Sequence, residues 1–247
     1  MSRQKQASAP AGYPTGAPHH DSLVGQERLA VLGQLAAGLA HEIRNPLTSI
    51  RGFCQLLDSL VTDEKSRAYL KILVHEVDRM NGLIAEFMAL ARPRTPEIGP
   101  LDLNDLLRET LAVTESRCFL SGVTVRVQTE ALPPVPADRD KVKQVLLNLI
   151  NNAIEAMEDQ NREKVLTVST EKDGQAVRVV ISDTGCGIPK DLMGNIGRPF
   201  FSTKSNGTGL GLSICRRIMD EHGGTITIES GDGFGTTVTV SLPLAAG

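Results

Sequence analysis

An all-α antiparallel helical hairpin followed by an α+β sandwich is the fold class that this 247-residue sequence predicts. Three observations predict it. Apolar residues recur at alternating three- and four-residue steps over two early stretches, the spacing of helices packed in a bundle. Three prolines then crowd the segment Arg92 to Pro100, which reads as an interdomain linker. Beyond it the apolar spacing switches back and forth between strand and helix periods, as in a sheet with helices over one face.

The first 21 residues are rich in Ala, Pro, Gly and Ser and cannot bury a face, so they are expected to be a disordered tail, too short for a folded sensor domain. His19 and His20 stand adjacent there with no third metal ligand nearby. The first heptad runs Leu29, Leu32, Ala36, Leu39, Ile43, Pro46, Ile50, Phe53, Leu57, Leu60, and the second Leu70, Leu73, Val77, Met80, Ile84, Phe87, Ala91. Thr62 to Ser66 supplies turn and capping chemistry between them. One hairpin cannot close a core around such a stripe, but two of them make a four-helix bundle, so a homodimer is expected. In the second domain Asp102 or Asn104 caps a helix reaching about Ser116, and Val123 to Gln128 alternates as a strand. Asp138 caps a helix through Met157. Strands follow at Val165 to Thr170 and Val177 to Ser182, around a turn at Asp173-Gly174. Leu210 to His222 reads as a helix ended by Gly223-Gly224, before a last hairpin of Thr225 to Glu229 with Thr237 to Leu242. The expected domains are therefore 22–93 for dimerisation, 94–100 as linker and 101–247 for the second domain.

His41 falls at the heptad position farthest from the seam, where a histidine is held toward solvent rather than recruited for packing. Glu42 follows it directly, and Asn45 shares its face one turn on. Pro46 removes the backbone bond to the Glu42 carbonyl. A lone surface histidine means little, but HEIRNPL resembles the phosphoacceptor box of sensor histidine kinases. The longer run GQLAAGLAHEIRNPLTSIRGFCQLL is similar to the dimerisation segment of sporulation-type and nitrogen-regulator-type members. The resemblance implies His41 as phosphoacceptor and Glu42 as the acceptor of its Nδ1 proton. It also implies a response regulator as partner, while a cytoplasmic location is expected from the lack of a membrane-length apolar run or a signal peptide. Asn45 has two readings. Its amide can hold a water in line with a regulator's aspartyl phosphate, or it merely tolerates the extended geometry favoured before proline.

Four stretches of the second domain suit a nucleotide. In QVLLNLINNAIEAM, Asn148 and Asn152 lie four apart, opposite the apolar stripe, and amide oxygens suit a Mg²⁺ that keeps most of its waters and bridges phosphates. DTGCGI places Asp183 at the end of an alternating strand, where a carboxylate can accept from an adenine amino group. Gly185 and Gly187 there let backbone approach the ring. GTGLGL (Gly207, Thr208, Gly209, Leu210, Gly211, Leu212) opens a helix whose first amides attract phosphate. GFGTT is a hairpin turn whose Thr236 hydroxyl can reach adenine. Singly these are weak. In this order they resemble the ATP-binding domain that histidine kinases share with gyrase, Hsp90 and MutL. That resemblance implies ATP and Mg²⁺, with Asn152 as metal ligand and Asp183 as adenine reader. RPFFSTK resembles the box within the flexible lid, where Phe200 and Phe201 can dock on the bundle and Arg198 or Lys204 can reach phosphate. Glu155 departs from the pattern: many members carry a phosphate-contacting lysine there.

Net charge is −3, and aromatics make up 3% with no Trp, which argues against nucleic acid as a partner. No stretch reaches the roughly 18 apolar residues of a membrane span, and no basic start precedes an apolar run, so no leader is expected. The four cysteines are scattered without a CxxC pair, and Cys54 and Cys215 read as small core hydrophobes. Two rivals to a kinase remain. A plain ATPase of the gyrase-Hsp90 kind carries a water-activating glutamate four residues before the metal asparagine, a position held here by Asn148, a poor base. A non-catalytic dimeric scaffold is the other.

Overall fold

The computed structural model describes residues 42–91, 95–204 and 207–245. The expected tail, the first half of the first heptad and His41 lie outside the described residues.

Residues 42–60 form a helix, α1, and Glu64–Ala91 form α2. The turn between them is fixed by Asp63, whose Oδ2 accepts from the Ser66 amide at 2.8 Å and the Ser66 hydroxyl at 2.7 Å. These bonds hold the Asp63 carboxyl below its ordinary range. The helix continues through Pro46, and two hydroxyls back-bond to carbonyls beside it: Thr48 to Arg44 at 2.9 Å and Ser49 to Asn45 at 3.2 Å. Arg51 on α1 reaches Asp78 on α2 at 2.8 Å.

Packing within the hairpin uses Leu47, Cys54, Leu70 and Val77, all buried. Leu47 and Cys54 lie beside the expected seam rather than on it. Seam residues Ile50, Phe53 and Leu60 remain 46%, 69% and 68% exposed, joined by Leu73 and Met80 from α2. A helix in a four-helix bundle faces two neighbours, so its apolar arc is wider than one a/d seam. One side of that arc closes the hairpin and the other is left uncovered by the described residues.

The second domain contains α3 (Leu103–Leu120), α4 (Arg139–Met157), a short α5 (Lys190–Met193) and α6 (Gly211–Glu221). Its strands are β1 (Gly99–Leu101), β2 (Thr124–Thr129), β3 (Val135–Ala137), β4 (Val165–Asp173), β5 (Ala176–Asp183), β6 (Thr225–Gly231) and β7 (Gly235–Pro243). Five strands form one sheet in the order β2-β4-β5-β7-β6. β2 and β4 run parallel, as a crossover through α4 requires, and the other pairs are antiparallel. Along β5 the inward residues Val177, Val179 and Ile181 are buried and join one core with Leu106 of α3, Ile150 of α4 and Ile218 of α6. The helices therefore cover one face of the sheet.

Three features were not expected. Gly99–Leu101 pairs antiparallel with Val135–Ala137, so the end of the proline-rich segment belongs to the second domain's fold. The Glu97 amide also donates to Asp138 Oδ2 at 2.9 Å. Helix α3, capped by Asp102 (one of the two expected caps) through Asp105 N at 3.0 Å, runs past the expected Ser116 to Leu120 because Cys118 is still a core residue. It stops where Gly122 takes a left-handed φ of 67°.

Candidate functional site

The site is built on one end of the sheet, between α4, the β5 terminus and the start of α6. Asp138 starts α4: its Oδ1 accepts from Asp140 N at 3.0 Å and Lys141 N at 3.1 Å. Burial works against its ionised form, but these donors and Glu97 N outweigh it and hold the carboxyl below its usual range. The apolar face of α4 is fully buried. Its opposite face carries Asn148, Asn152 and Glu155, one helical turn after another. Asn148 Nδ2 lies 3.4 Å from the Gly211 carbonyl, which joins this face to the first turn of α6. That turn has no side-chain cap; Thr208 Oγ1 accepts instead from Leu210 N at 3.1 Å. Gly211, the last glycine of the Gly207–Gly211 run, thus meets the asparagine face.

Asp183 ends β5 and is only 8% exposed. Its Oδ1 accepts from Gly185 N at 2.7 Å and Thr236 N at 3.3 Å, so Oδ2 is the oxygen left for a ligand. Burial pushes its carboxyl above the usual range, against those donors and the nearby charges of Lys204 and Arg162. A Cβ on Gly185 would lie 2.6 Å from Asp183 Oδ1 and 2.7 Å from the Ala156 side chain, so only glycine fits. Gly187 has φ 71° and faces the Gly231 carbonyl, with which a Cβ would collide. The β5–β7 register sets Thr236 opposite Asp183, and Thr236 Oγ1 lies 2.9 Å from Ser230 Oγ.

The glycine loop is tied down by groups that the motifs did not announce. Cys186 N donates to Ala156 O at 3.0 Å, and Gly233 N donates to Cys186 O at 2.7 Å. Arg162 donates to the Gly233 carbonyl at 2.6 Å and also to that of Gly185, clamping the β6–β7 turn to the loop. Arg162 sits in a polar turn with no periodic signal, so nothing in the sequence singles it out.

Lys204 and Glu155, read separately from sequence, form an ion pair at 2.6 Å. Glu155 also accepts from Arg117 of α3 at 2.9 Å. Burial opposes its ionisation, but the two cations prevail and its carboxyl is held low. Phe200 is exposed and adopts φ 66°, its amide donating to the Gly209 carbonyl at 3.0 Å. Glu42 and Asn45 lie exposed on α1. Among the described residues no cluster of three His, Cys, Asp or Glu groups is placed to hold a metal, and no helix is long and apolar enough to cross a membrane.

Residues 137–246 match the family described as histidine kinase-, DNA gyrase B-, and HSP90-like ATPase, and residues 31–96 match the His Kinase A (phospho-acceptor) domain. The signal transduction histidine-protein kinase AtoS of Escherichia coli (strain K12) is 40% identical over 223 residues, which are 88% of this chain and 36% of AtoS. The chain spans about a third to a half of the length of the curated relatives it matches. The catalytic domain of the histidine kinase ThkA superposes with a TM-score of 0.53 at 38% identity, covering 60% of this chain and 95% of that domain. ThkA in complex with the response regulator TrrA matches at a TM-score of 0.65 and 34% identity, over 91% of this chain and 65% of that one. Full-length ShkA in complex with AMPPNP matches at 0.74 and 26% identity, over 87% of this chain and 46% of ShkA. With this site on this sheet, the chain belongs to the histidine kinase family.

Proposed function

We propose that this chain is an ATP-dependent protein histidine kinase that phosphorylates its own His41 and passes the phosphoryl group to an aspartate of a response regulator. What carries the reading is the buried Asp183. Two backbone donors hold one of its oxygens, leaving the other as a lone acceptor beside Gly185, where only glycine fits. An adenine amino group is the donor such an acceptor selects. The triphosphate then extends along α4 toward Asn148 and Asn152, and the uncapped first turn of α6 offers amides to it. Thr236 lines the adenine end, and Gly185, Gly187, Gly207 and Gly209 let backbone close over the nucleotide.

The α4 face fits a Mg²⁺ carried by the nucleotide: one amide oxygen, from Asn152, suits an ion that takes its other ligands from phosphate and water. Such an ion neutralises charge developing on the transferred phosphoryl group. His41 attacks in line through Nε2, while Glu42 accepts the Nδ1 proton and keeps the attacking nitrogen a neutral base. The exposed apolar stripe of the hairpin supports a homodimer through residues 22–93, with the catalytic domain following the linker to residue 247. The exposed face of α1 outside that stripe presents Asn45 to a docked regulator, which supports a phosphatase activity toward it.

Incubating the protein with γ-labelled ATP tests the reading. Acid-labile, base-stable label on the protein is expected. Free phosphate alone would indicate a plain ATPase, and no turnover a scaffold.

A further inference from the structure

The face of α4 that carries Asn152 ends in a carboxylate, Glu155, which is an unfavourable neighbour for phosphates. Its environment says how it is tolerated. The carboxylate divides its two oxygens: Oε1 takes Arg117 Nη2 at 2.9 Å and Oε2 takes Lys204 Nζ at 2.6 Å. The two cations are not equivalent. Arg117 is anchored elsewhere as well, donating from Nη1 to Asn151 Oδ1 at 2.8 Å and standing 3.5 Å from Glu158 Oε1. Apart from Glu155, the described residues hold Lys204 through its backbone, by a turn in which its amide donates to Ser202 Oγ at 3.1 Å and its carbonyl accepts from Gly207 N at 3.2 Å. Its flexible stem leaves the ammonium free to change partner. Both members of the Lys204–Glu155 pair are about one-third exposed, at 37% and 33%, so the pair is weak enough to exchange. Glu155 stands one helical turn after Asn152 on α4, which places the Lys204 ammonium it holds at the end of the asparagine face.

We propose that Glu155 is a specificity-determining residue for the phosphates of the nucleotide: it holds the Lys204 ammonium beside Asn152 and yields it to incoming phosphates while Arg117 stays. This rests on the nucleotide reading of the pocket. A di- or triphosphate offers the ammonium more negative charge than one carboxylate. Glu155 is not orphaned by the exchange, because Oε1 keeps its guanidinium. The pair therefore competes with phosphate for one cation, and it penalises polyphosphates without affecting the base.

Calorimetric titration of the full chain with adenosine, AMP, ADP and ATP in the presence of Mg²⁺ tests this in four proteins: wild type, E155Q, K204A and the double variant. E155Q is expected to tighten ATP roughly two- to five-fold, the size of a part-exposed ion pair, with adenosine affinity unchanged. K204A weakens ATP, and adding E155Q to K204A gives no further change. Equal tightening by E155Q with and without Lys204 would mean simple charge repulsion and overturn the exchange, as would unchanged or weaker ATP binding by E155Q. A wild-type chain that binds no adenine nucleotide would refute the reading of the site and the exchange with it.

Discussion

Asp183 shows what a single buried carboxylate commits to. Gly185 N and Thr236 N both use Oδ1, so in Asp183→Asn the amide oxygen keeps those two bonds and the amide NH₂ turns to the ligand. A donor then faces the adenine amino group. Losing a charge-assisted bond of about 1.5–3 kcal/mol weakens every adenine nucleotide roughly 10- to 100-fold. The fold is not at risk. A carboxyl raised by burial contributes stability in its protonated form, present at low pH and lost as pH rises through the raised value. The unliganded variant is thus expected to melt at pH 7 no lower than wild type. Nucleotide affinity of the wild type should fall with decreasing pH in a window above the ordinary 3.8, and that step should vanish in the variant. A wild-type affinity flat from neutrality to pH 4 would contradict this role for Asp183. Asn45 tests a different chemistry at the same scale. Asn45→Ala should leave autophosphorylation intact and slow the loss of label from a phosphorylated regulator by several-fold. An unchanged rate makes it a helix-surface residue.

At the level of elements, what was legible depended on whether a residue's environment is local. The helix over Arg139–Met157, its Asp138 cap and the β6–β7 hairpin follow from period and punctuation, and the structure agrees within a residue or two. The three-residue strands β1 and β3 carry Pro100 and Pro136 and are too short for any alternation to register. Site residues followed the same division. Asp183, Asn152 and the glycines stand in contiguous motifs, whereas Arg117 and Arg162 reach the site only through tertiary packing. The Lys204–Glu155 pair joins residues 49 apart, so no local pattern contains it. The hairpin is the element whose sequence pattern outran the single chain. Its apolar arc is split between an inner contact through Leu47, Cys54, Leu70 and Val77 and an outer stripe that none of the described residues covers. Replacing Ile50 and Leu57, both on the outer stripe, with glutamate should therefore give a monomer that still binds nucleotide with unchanged affinity. Light scattering that reports a dimer in the double variant would refute this assignment of the stripe.

Taken whole, the molecule under the proposed function divides a phosphoryl transfer between two architectures. In the proposed reading the base end of the site is tied down by Arg162 and the β5–β7 register, and the phosphate end is held by the exchangeable Lys204–Glu155 pair. Glu42 and Asn45, next to the proposed acceptor in sequence, lie exposed on α1 outside the stripe proposed to pair the protomers, so dimerisation and chemistry need not compete for the same surface. Everything in this account converges on one nitrogen atom. After incubation with ATP and Mg²⁺, mass-spectrometric fragmentation under non-acidic conditions should find a phosphoryl group on His41. His41→Gln should abolish it while binding ATP as wild type does. A phosphoryl group on another residue, or label that persists in His41→Gln, would contradict the account at its centre.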